Sequence, residues 1–282
     1  MVDPASALLS PCCLDRVAPV SENRIPAGET GVIAALRRSC GIARSAAIYR
    51  ARPWRRGRAL ALYRPFIAPG ALAFDIGAHL GDRTRYFREL GARVVAVEPQ
   101  PELAARLQRA FRGDSGVSVL CTALGAAEGH ALLYRDPMNP TLATLSKTWT
   151  HALTASAAFR SVRWRETRSV PVTTLDALIS RFGAPAFTKV DVEGFEAEVV
   201  GGLNHRVAAL SFEYVTVSLE PALQTLDRLR SLGCYEYNRS EGESLRLIHR
   251  RWVDFTAITR EIEGLSRDPG SGDIYARLQD GA

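Results

Sequence analysis

The sequence lacks the cysteine spacing of a metal-binding module. Only five of its 282 residues are cysteines, an odd number, and no CxxC motif occurs. Cysteine-based zinc sites use such closely spaced pairs, so the sequence argues against a zinc module. We interpret the thiols as reduced and either structural or incidental. They are Cys12, Cys13, Cys40, Cys121 and Cys234.

Long apolar runs are also missing. No stretch approaches the roughly 18 consecutive apolar residues of a membrane-spanning helix. Residues 1–11 lack the cationic start and apolar core of a signal peptide. We therefore expect no transmembrane segment and a cytoplasmic location.

Lysine is nearly absent, since the 36 basic residues include only Lys147 and Lys189 as lysines. This bias towards arginine, together with many alanines, is typical of a GC-rich genome, and we expect a bacterial protein. Hydrophobic residues make up 46% and charged residues 23%, which is usual for a globular protein. The length suffices for one large α/β domain with an extension.

The positive charge is concentrated near the N-terminus. Residues 1–65 carry 11 arginines and 4 acids, while the remainder carries 25 basic and 26 acidic residues. Such an arginine-rich segment could bind anionic lipid or nucleic acid, but we favour a solvated, partly disordered arm. The sequence predicts a short helix over 29–38 and a break over 52–57. We therefore divide the chain into a basic extension (1–65) and a folded domain (66–282).

From residue 71 onward, short apolar runs alternate with amphipathic segments. This order favours right-handed crossovers and a parallel sheet with helices on both faces. Strands are predicted at 71–75, 93–97, 117–121, 186–191 and 208–214, with edge strands at 131–134 and 169–172 and final strands at 233–238, 244–248 and 273–278. Helices are predicted at 82–90, from 101, at 174–182, 195–201 and 221–232. Residues 135–168 form an irregular insertion, which we interpret as a lid or acceptor-binding segment.

A glycine turn follows the first strand, in the sequence FDIGAHLG over residues 74–81. Gly77 permits a tight turn and close approach of a ligand, Gly81 lets the next helix approach, and free N–H groups at the helix start would face an anion. Glu98 ends the second strand, where a carboxylate can accept both ribose hydroxyls. Together they predict an adenosine-containing ligand. The alternative is a tight turn with a surface glutamate.

The details of the turn favour S-adenosylmethionine over a nicotinamide dinucleotide. A dinucleotide fingerprint requires a glycine where the backbone clears the pyrophosphate, but Ala78 and His79 occupy that region. Asp75 precedes the turn and would attract a cationic ligand. We expect Thr122 and Ala123, with Leu124, to line the adenine pocket, although ordinary loop residues are an alternative.

A second group of polar residues lies at the end of the fourth long strand. Lys189 and Asp191 share one face of the strand, and Glu193 follows at its mouth. Asp191 and Glu193 are candidate general bases for a hydroxyl acceptor, with Lys189 setting their charge. Two alternatives are a Mg²⁺ site and a structural Lys–Asp pair. Glu213 ends the next strand and could bind the acceptor or complete the cluster.

His79 is a further candidate base. A solvent-facing histidine in the turn is the simpler interpretation.

Taken together, these motifs resemble the FkbM family of methyltransferases over about residues 70–278. The matching segments are Phe74–Thr84, Val97–Pro99, Ala123–Gly125, Thr174–Asp176, Lys189–Glu196, Ser211–Glu213 and Gly272–Tyr275. The resemblance implies a Rossmann-like class I methyltransferase fold with a mostly parallel seven-stranded sheet. It also implies methyl transfer from S-adenosylmethionine, usually to a hydroxyl of a sugar or polyketide.

The resemblance also implies roles for single residues. Contacts to the cofactor fall on residues 75, 77 and 81, with Ala78, His79, Thr84 and Pro99 in the same segments. Glu98 would bind the ribose, and residues 191–193 would lie at the reaction centre. The family more often has Asn at the position of His79.

Three functional hypotheses follow. The first is an O-methyltransferase acting on a small molecule or glycan. The second is a nicotinamide-dependent oxidoreductase, against which the pattern at Asp75, Ala78 and His79 argues. The third is a non-catalytic module that binds nucleic acid or membrane through its basic extension.

Overall fold

The computed structural model describes residues 54–156, 159, 161–266 and 268–279. The helix predicted over 29–38 and most of the basic extension lie outside the described residues.

Seven strands form the main sheet, in the order β3-β2-β1-β7-β8-β10-β9. Strands β1, β2, β3, β7 and β8 are parallel, whereas β10 is antiparallel to both β8 and β9. The predicted mostly parallel seven-stranded sheet is confirmed. The strands are β1 (Leu72–Ile76), β2 (Arg93–Val97), β3 (Val117–Leu120), β7 (Phe187–Val190), β8 (Ala209–Val215), β9 (Tyr235–Arg239) and β10 (Ser271–Leu278).

Helices cover both faces of this sheet. One apolar cluster joins the sheet to α5–α8, and another joins its opposite face to α1 and α2. The eight helices of the described chain are α1 (Trp54–Tyr63), α2 (Asp82–Glu89), α3 (Pro101–Ala110), α4 (Lys147–Ala155), α5 (Leu175–Phe182), α6 (Glu196–Gly201), α7 (Glu220–Leu232) and α8 (Phe255–Glu263). None of the described helices is long and apolar enough to span a membrane.

The central strand β1 is buried along its whole length. Phe74 and Ile76 enter one apolar cluster and Ala73 enters the other, as the two-residue period of a strand requires. Asp75 therefore lies on the α1–α2 face, paired in register with Lys189 of β7. Polar side chains of neighbouring strands, Asp75 and Lys189, therefore lie side by side on this face of the sheet, beneath the site.

The predicted edge strands at 131–134 and 169–172 do not join the main sheet. They belong to a separate three-stranded sheet of β4 (Ala123–Leu124), β5 (Gly129–Arg135) and β6 (Glu166–Thr173), in the order β4-β6-β5. Leu133 and Val170 pack in a small apolar cluster of their own, which gives this sheet a core independent of the main one.

The insertion at 135–168 is more ordered than predicted. It contains a short 3₁₀ turn at Pro140–Leu142 and the helix α4. Ser146 caps α4 by accepting a hydrogen bond from the Trp149 N–H.

Two sequence predictions are wrong. The predicted break at 52–57 is contradicted within the described residues, which begin at residue 54, because Gly57 lies inside α1. Ala59 and Tyr63 of that helix are buried in the core, so the packed body of the domain begins by residue 54 rather than 66. The predicted strand at 244–248 is a loop, and the helix α8 follows it unpredicted.

Candidate active site

A cleft of about 980 Å³, open to solvent, lies at the carboxyl ends of the parallel strands, where open α/β sheets bind ligands. Eleven of the residues predicted for the site line it: Asp75, Gly77, Ala78, His79, Glu98, Pro99, Thr122, Ala123, Lys189, Asp191 and Glu193. The other three predicted residues, Gly81, Thr84 and Glu213, do not line the cleft and lie behind the residues that do.

Gly77 makes the tight turn that the sequence predicts and also a close backbone contact that it does not. Its φ is +80°, and a Cβ atom there would lie 1.8 Å from the carbonyl oxygen of Asp191. The close neighbour is the backbone of the loop that follows β7. Gly77 lets the ends of β1 and β7 meet.

The backbone donors of the glycine loop (residues 77–81) are largely used within the protein. The N–H groups of Gly77 and Ala78 both donate to the carbonyl of Val97, at 2.9 Å. The His79 N–H donates to the Glu98 carboxylate, also at 2.9 Å. These three N–H groups are therefore not available to a ligand, and the free N–H groups predicted to face an anion are those at the start of α2.

Glu98 is 3% exposed and held by two backbone bonds. One oxygen accepts from the His79 N–H and the other from the Gln100 N–H, each at 2.9 Å. Burial raises the pKa of Glu98 to about 7, although the bonds from Gln100 and His79 oppose the shift. Each oxygen keeps a lone pair that a ribose hydroxyl can use. Gln100, which sequence analysis missed, also donates to the Pro140 carbonyl at 3.0 Å and ties the insertion to the cleft.

Gly81 and Thr84 support the cleft from behind. A Cβ atom on Gly81 would lie 2.7 Å from the side chain of Leu107 and 2.9 Å from that of Phe111, so its small size lets α3 pack against the loop. The Thr84 hydroxyl donates to the buried Asp75 carboxylate. Burial raises the pKa of Asp75, against the lowering effect of the Thr84 bond.

The wall of the cleft formed by the second sheet and the insertion is mostly apolar. Thr122 and Ala123 line it as predicted, and the second sheet and the insertion add residues that sequence analysis missed. An adenine ring requires such a surface. The added apolar residues are Leu133, Pro140, Ala143 and Leu145.

His79 is not the solvent-facing residue expected. It has a left-handed conformation, with φ of 47°, which turns its side chain into the cleft wall. Its Nε2 is buried and has no hydrogen-bond partner among the described residues. Burial lowers the pKa of His79 to about 4, so the ring is neutral near pH 7.

Lys189 is 2% exposed and pairs with two carboxylates, Asp191 at 3.0 Å and Asp273 at 3.1 Å. Sequence analysis did not identify Asp273 as a partner of Lys189, because it lies 84 residues away on the antiparallel strand β10. Burial alone would lower the pKa of Lys189, but Asp191 and Asp273 raise it well above its usual value. The lysine is a fixed positive charge under the cleft.

Three carboxyl groups, Asp191, Glu193 and Glu213, meet at the mouths of β7 and β8, with one oxygen from each within 4.8 Å of the others. We call them the carboxylate cluster. Burial, followed by mutual repulsion, raises the pKa of Glu193 and of Glu213 well above the usual value. Such a group either shares protons or holds a divalent cation such as Mg²⁺.

The turn that carries Glu193 is fixed from two sides. Glu193 and Gly194 both have left-handed φ angles, of 57° and 81°. Below, the buried Glu196 carboxylate accepts from the N–H groups of Val192 and Gly194, at 3.1 and 3.2 Å. Above, the indole of Trp149 from the insertion lies against Gly194.

An ion-paired group that the sequence did not suggest completes the wall. Arg83 of α2 and Glu243 both line the cleft, and their side chains meet at 2.8 Å. Arg55 of α1 pairs with the same Glu243 oxygen at 2.5 Å. Burial alone would raise the pKa of Glu243, but the two arginines lower it to about 2.

The strand order, the glycine loop and the acidic end of β2 define a Rossmann-like class I methyltransferase. The chain belongs to the FkbM methyltransferase family: the family model, described as the methyltransferase FkbM domain, matches residues 75–234. The methyl donor is S-adenosylmethionine, as predicted. The acidic end of β2, the apolar wall and Asp75 fit its ribose, its adenine and its cationic portion.

Solved structures similar to the chain include three bacterial methyltransferases. A precorrin-6y C5,15-methyltransferase from Geobacter metallireducens is 10% identical over 79% of this chain and 87% of that chain, with a TM-score of 0.42. A TehB-like enzyme from Corynebacterium glutamicum is 10% identical (79% and 88% covered, TM-score 0.38). A 1,6-didemethyltoxoflavin-N1-methyltransferase from Burkholderia thailandensis is 15% identical (93% and 95%, 0.37). No curated protein matches the chain.

Proposed function

We propose that the protein transfers a methyl group from S-adenosylmethionine to a hydroxyl of a sugar, polyketide or related small molecule or glycan. The observation that carries this proposal is the carboxylate cluster beside the cleft. A hydroxyl must lose its proton as it is methylated, so it requires a base. Burial raises the pKa of Glu193 and of Glu213, and a raised pKa makes the ionised carboxylate a stronger base for that proton.

The proposed chemistry is an in-line displacement. The bound cofactor supplies a methyl group on a positively charged sulfur. The acceptor oxygen bonds to the methyl carbon while the carbon–sulfur bond breaks, its electron pair stays on sulfur, and the hydroxyl proton passes to the cluster. Asp191, held by Lys189, orients the hydroxyl, and Glu193 and Glu213 share the proton that is released. Alignment of the two reacting atoms supplies much of the rate.

The insertion forms the acceptor side of the site in this proposal. Thr141 and Thr144 of the insertion line the cleft beside the apolar wall, and α4 carries the indole that packs on Gly194. The acceptor therefore lies between the insertion and the carboxylate cluster. Arg55, which the sequence analysis counted in the basic extension, belongs to the domain core.

The first test is calorimetric titration with S-adenosylmethionine, S-adenosylhomocysteine and NAD⁺. We expect binding of the first two only. NAD⁺ binding alone would favour the oxidoreductase hypothesis.

The second test concerns the methylated atom. Trideuteriomethyl-labelled cofactor is incubated with a panel of neutral sugars and hydroxylated macrolides, with and without Mg²⁺ or a chelator, and labelled products are analysed by mass spectrometry and NMR. We expect the label on oxygen. Label found on nitrogen contradicts the O-methylation proposal, and loss of product with the chelator, restored by Mg²⁺, favours a cation in the carboxylate cluster.

A further inference from the structure

Arg83 is an unusual residue for an otherwise acidic cleft. Six acids line the cleft (Asp75, Asp82, Glu98, Asp191, Glu193 and Glu243), whereas its basic lining consists of Arg83 and Lys189. Lys189 is fully engaged by Asp191 and Asp273 beneath the floor. Arg83 is 12% exposed, and its Nε is buried with no hydrogen-bond partner within the described residues.

Arg83 lies near the part of the cleft where the methionyl end of S-adenosylmethionine would be, remote from the adenosine end. The adenosine end is assigned to Glu98 and Thr122, on the β2–β3 side of β1. Arg83 lies on the other side, because it pairs with Glu243. Glu243 follows Gly242, whose N–H donates to the Ser271 carbonyl at the start of β10, and β10 lies on the β7 side of β1. An extended ligand with its ribose at Glu98 therefore places its far end towards Arg83.

The ligand has a carboxylate at that far end, and the loop has few donors left for it. The N–H groups of Gly77, Ala78 and His79 are taken by Val97 and Glu98. The first turn of α2, which carries Arg83, is the next segment of chain and has the positive end of the helix dipole. A guanidinium is well suited to a carboxylate because it offers two parallel donors.

Glu243 and Arg55 hold the guanidinium in place. Glu243 pairs with both arginines through a single oxygen, Oε2, so one carboxylate lies between two guanidinium groups. This arrangement fixes Arg83 through one of its terminal nitrogens and leaves Nε unpaired within the described chain.

We infer that Arg83 binds the carboxylate of the methionyl group of S-adenosylmethionine, with Glu243 and Arg55 as positioning residues. This inference rests on the cofactor being S-adenosylmethionine but not on the identity of the acceptor. It also gives a reason for the buried Arg55: α1 helps to hold the cofactor site together from the opposite side of Glu243.

The experiment compares two ligands that differ only in the carboxylate: S-adenosylhomocysteine and its decarboxylated analogue. Both are titrated by calorimetry into the full chain and into the Arg83→Gln, Arg83→Lys and Arg85→Gln variants. Arg85 is the matched control, since it lies on the same helix and pairs with Asp82. Arg83→Lys keeps the charge next to Glu243 and so protects the fold if Arg83→Gln is unstable.

We expect Arg83→Gln to lower the affinity for S-adenosylhomocysteine about tenfold or more, with a smaller loss for Arg83→Lys, and to leave the affinity for the decarboxylated analogue within about twofold. Arg85→Gln should change neither. Equal losses for both ligands, or no loss for either, overturn the inference while the cofactor assignment stands. A wild-type chain that binds no S-adenosyl ligand overturns both.

Discussion

Trp149 lies directly against Gly194: a Cβ atom on Gly194 would be 2.0 Å from the Cδ1 atom of Trp149. Trp149 belongs to the insertion helix α4, and Gly194 follows Glu193 of the carboxylate cluster. The indole is 2% exposed and packs edge-on against Trp164 at 6.0 Å. The insertion and the turn that orients Glu193 are therefore packed as one unit.

Gly194→Ala should disrupt the packing of the insertion against the turn that carries Glu193. The alanine is strained by the left-handed φ and overlaps the indole, so we expect a loss of about 1–3 kcal/mol in the free energy of unfolding and a change in tryptophan fluorescence. Thermal denaturation and emission spectra measure the two effects. Gly57→Ala is the control, because nothing lies within 4 Å of a Cβ atom there. If both variants melt at the wild-type temperature, the packing role of Gly194 is wrong.

The two lysines allow a matched test of the buried ion pair. Lys189→Met leaves Asp191 and Asp273 without their shared cation, and removing one partner of a buried pair costs about 3–5 kcal/mol. Lys147→Met, at an exposed position of α4, should have little effect. Urea denaturation of the two variants measures the difference. Equal stabilities for the two variants would falsify the assignment of Lys189 as a structural charge.

The repeating architecture could be predicted from the sequence because its signals are local. Apolar runs of strand length and a glycine after the first strand specify the parallel sheet and its ligand-binding edge. Glu98 and residues 189–193 were identified because each directly ends or belongs to a strand. The face of the sheet on which their side chains lie follows from the two-residue period of the strand alone.

The rest depends on contacts between distant parts of the chain. Arg83 pairs with a glutamate 160 residues away, and Lys189 with an aspartate 84 residues away. No local pattern indicates such pairs. The helix α1 was missed because Pro53 and Gly57 suggest a break, although Arg55 is buried and pairs with the distant Glu243.

Cofactor affinity should depend on pH through Glu98. Burial raises its pKa to about 7, and only the ionised carboxylate can accept from both ribose hydroxyls. Affinity for S-adenosylhomocysteine should therefore rise as the pH increases from 6 to 8. The Glu98→Gln variant should bind more weakly and lose most of this dependence. Calorimetry at several pH values measures both, and a wild-type profile that is flat over this range contradicts the ribose assignment.

Asp191→Asn separates binding from turnover. The amide keeps the size of the side chain but loses the negative charge that pairs with Lys189 and orients the acceptor hydroxyl, so we expect most turnover to be lost while S-adenosylhomocysteine binds within a few-fold of wild type. Turnover is followed as S-adenosylhomocysteine release with an acceptor found in the panel. Asp227→Asn, at an exposed position of α7, is the control. Unchanged turnover in Asp191→Asn removes its catalytic role.

The unliganded protein should be more stable at pH 5 than at pH 8. Burial raises the pKa of Glu98 and of Glu196 to about 7, and that of Glu193 and Glu213 well above the usual value. Between about pH 4.5 and 7 the folded state therefore binds more protons than the unfolded state. Stability falls as the pH rises through this window, by on the order of 3 kcal/mol for a group shifted from 4.5 to about 7.

Glu196→Gln tests the origin of this slope. The amide oxygen can still accept from the N–H groups of Val192 and Gly194, but the group no longer ionises. We expect the variant to match wild type near pH 5 and to exceed it near pH 8, because the cost of a buried charge disappears. Glu263→Gln, at an exposed position, is the control. Melting temperatures across the range measure both slopes; a Glu196→Gln slope equal to that of wild type means that Glu196 ionises freely in the folded state.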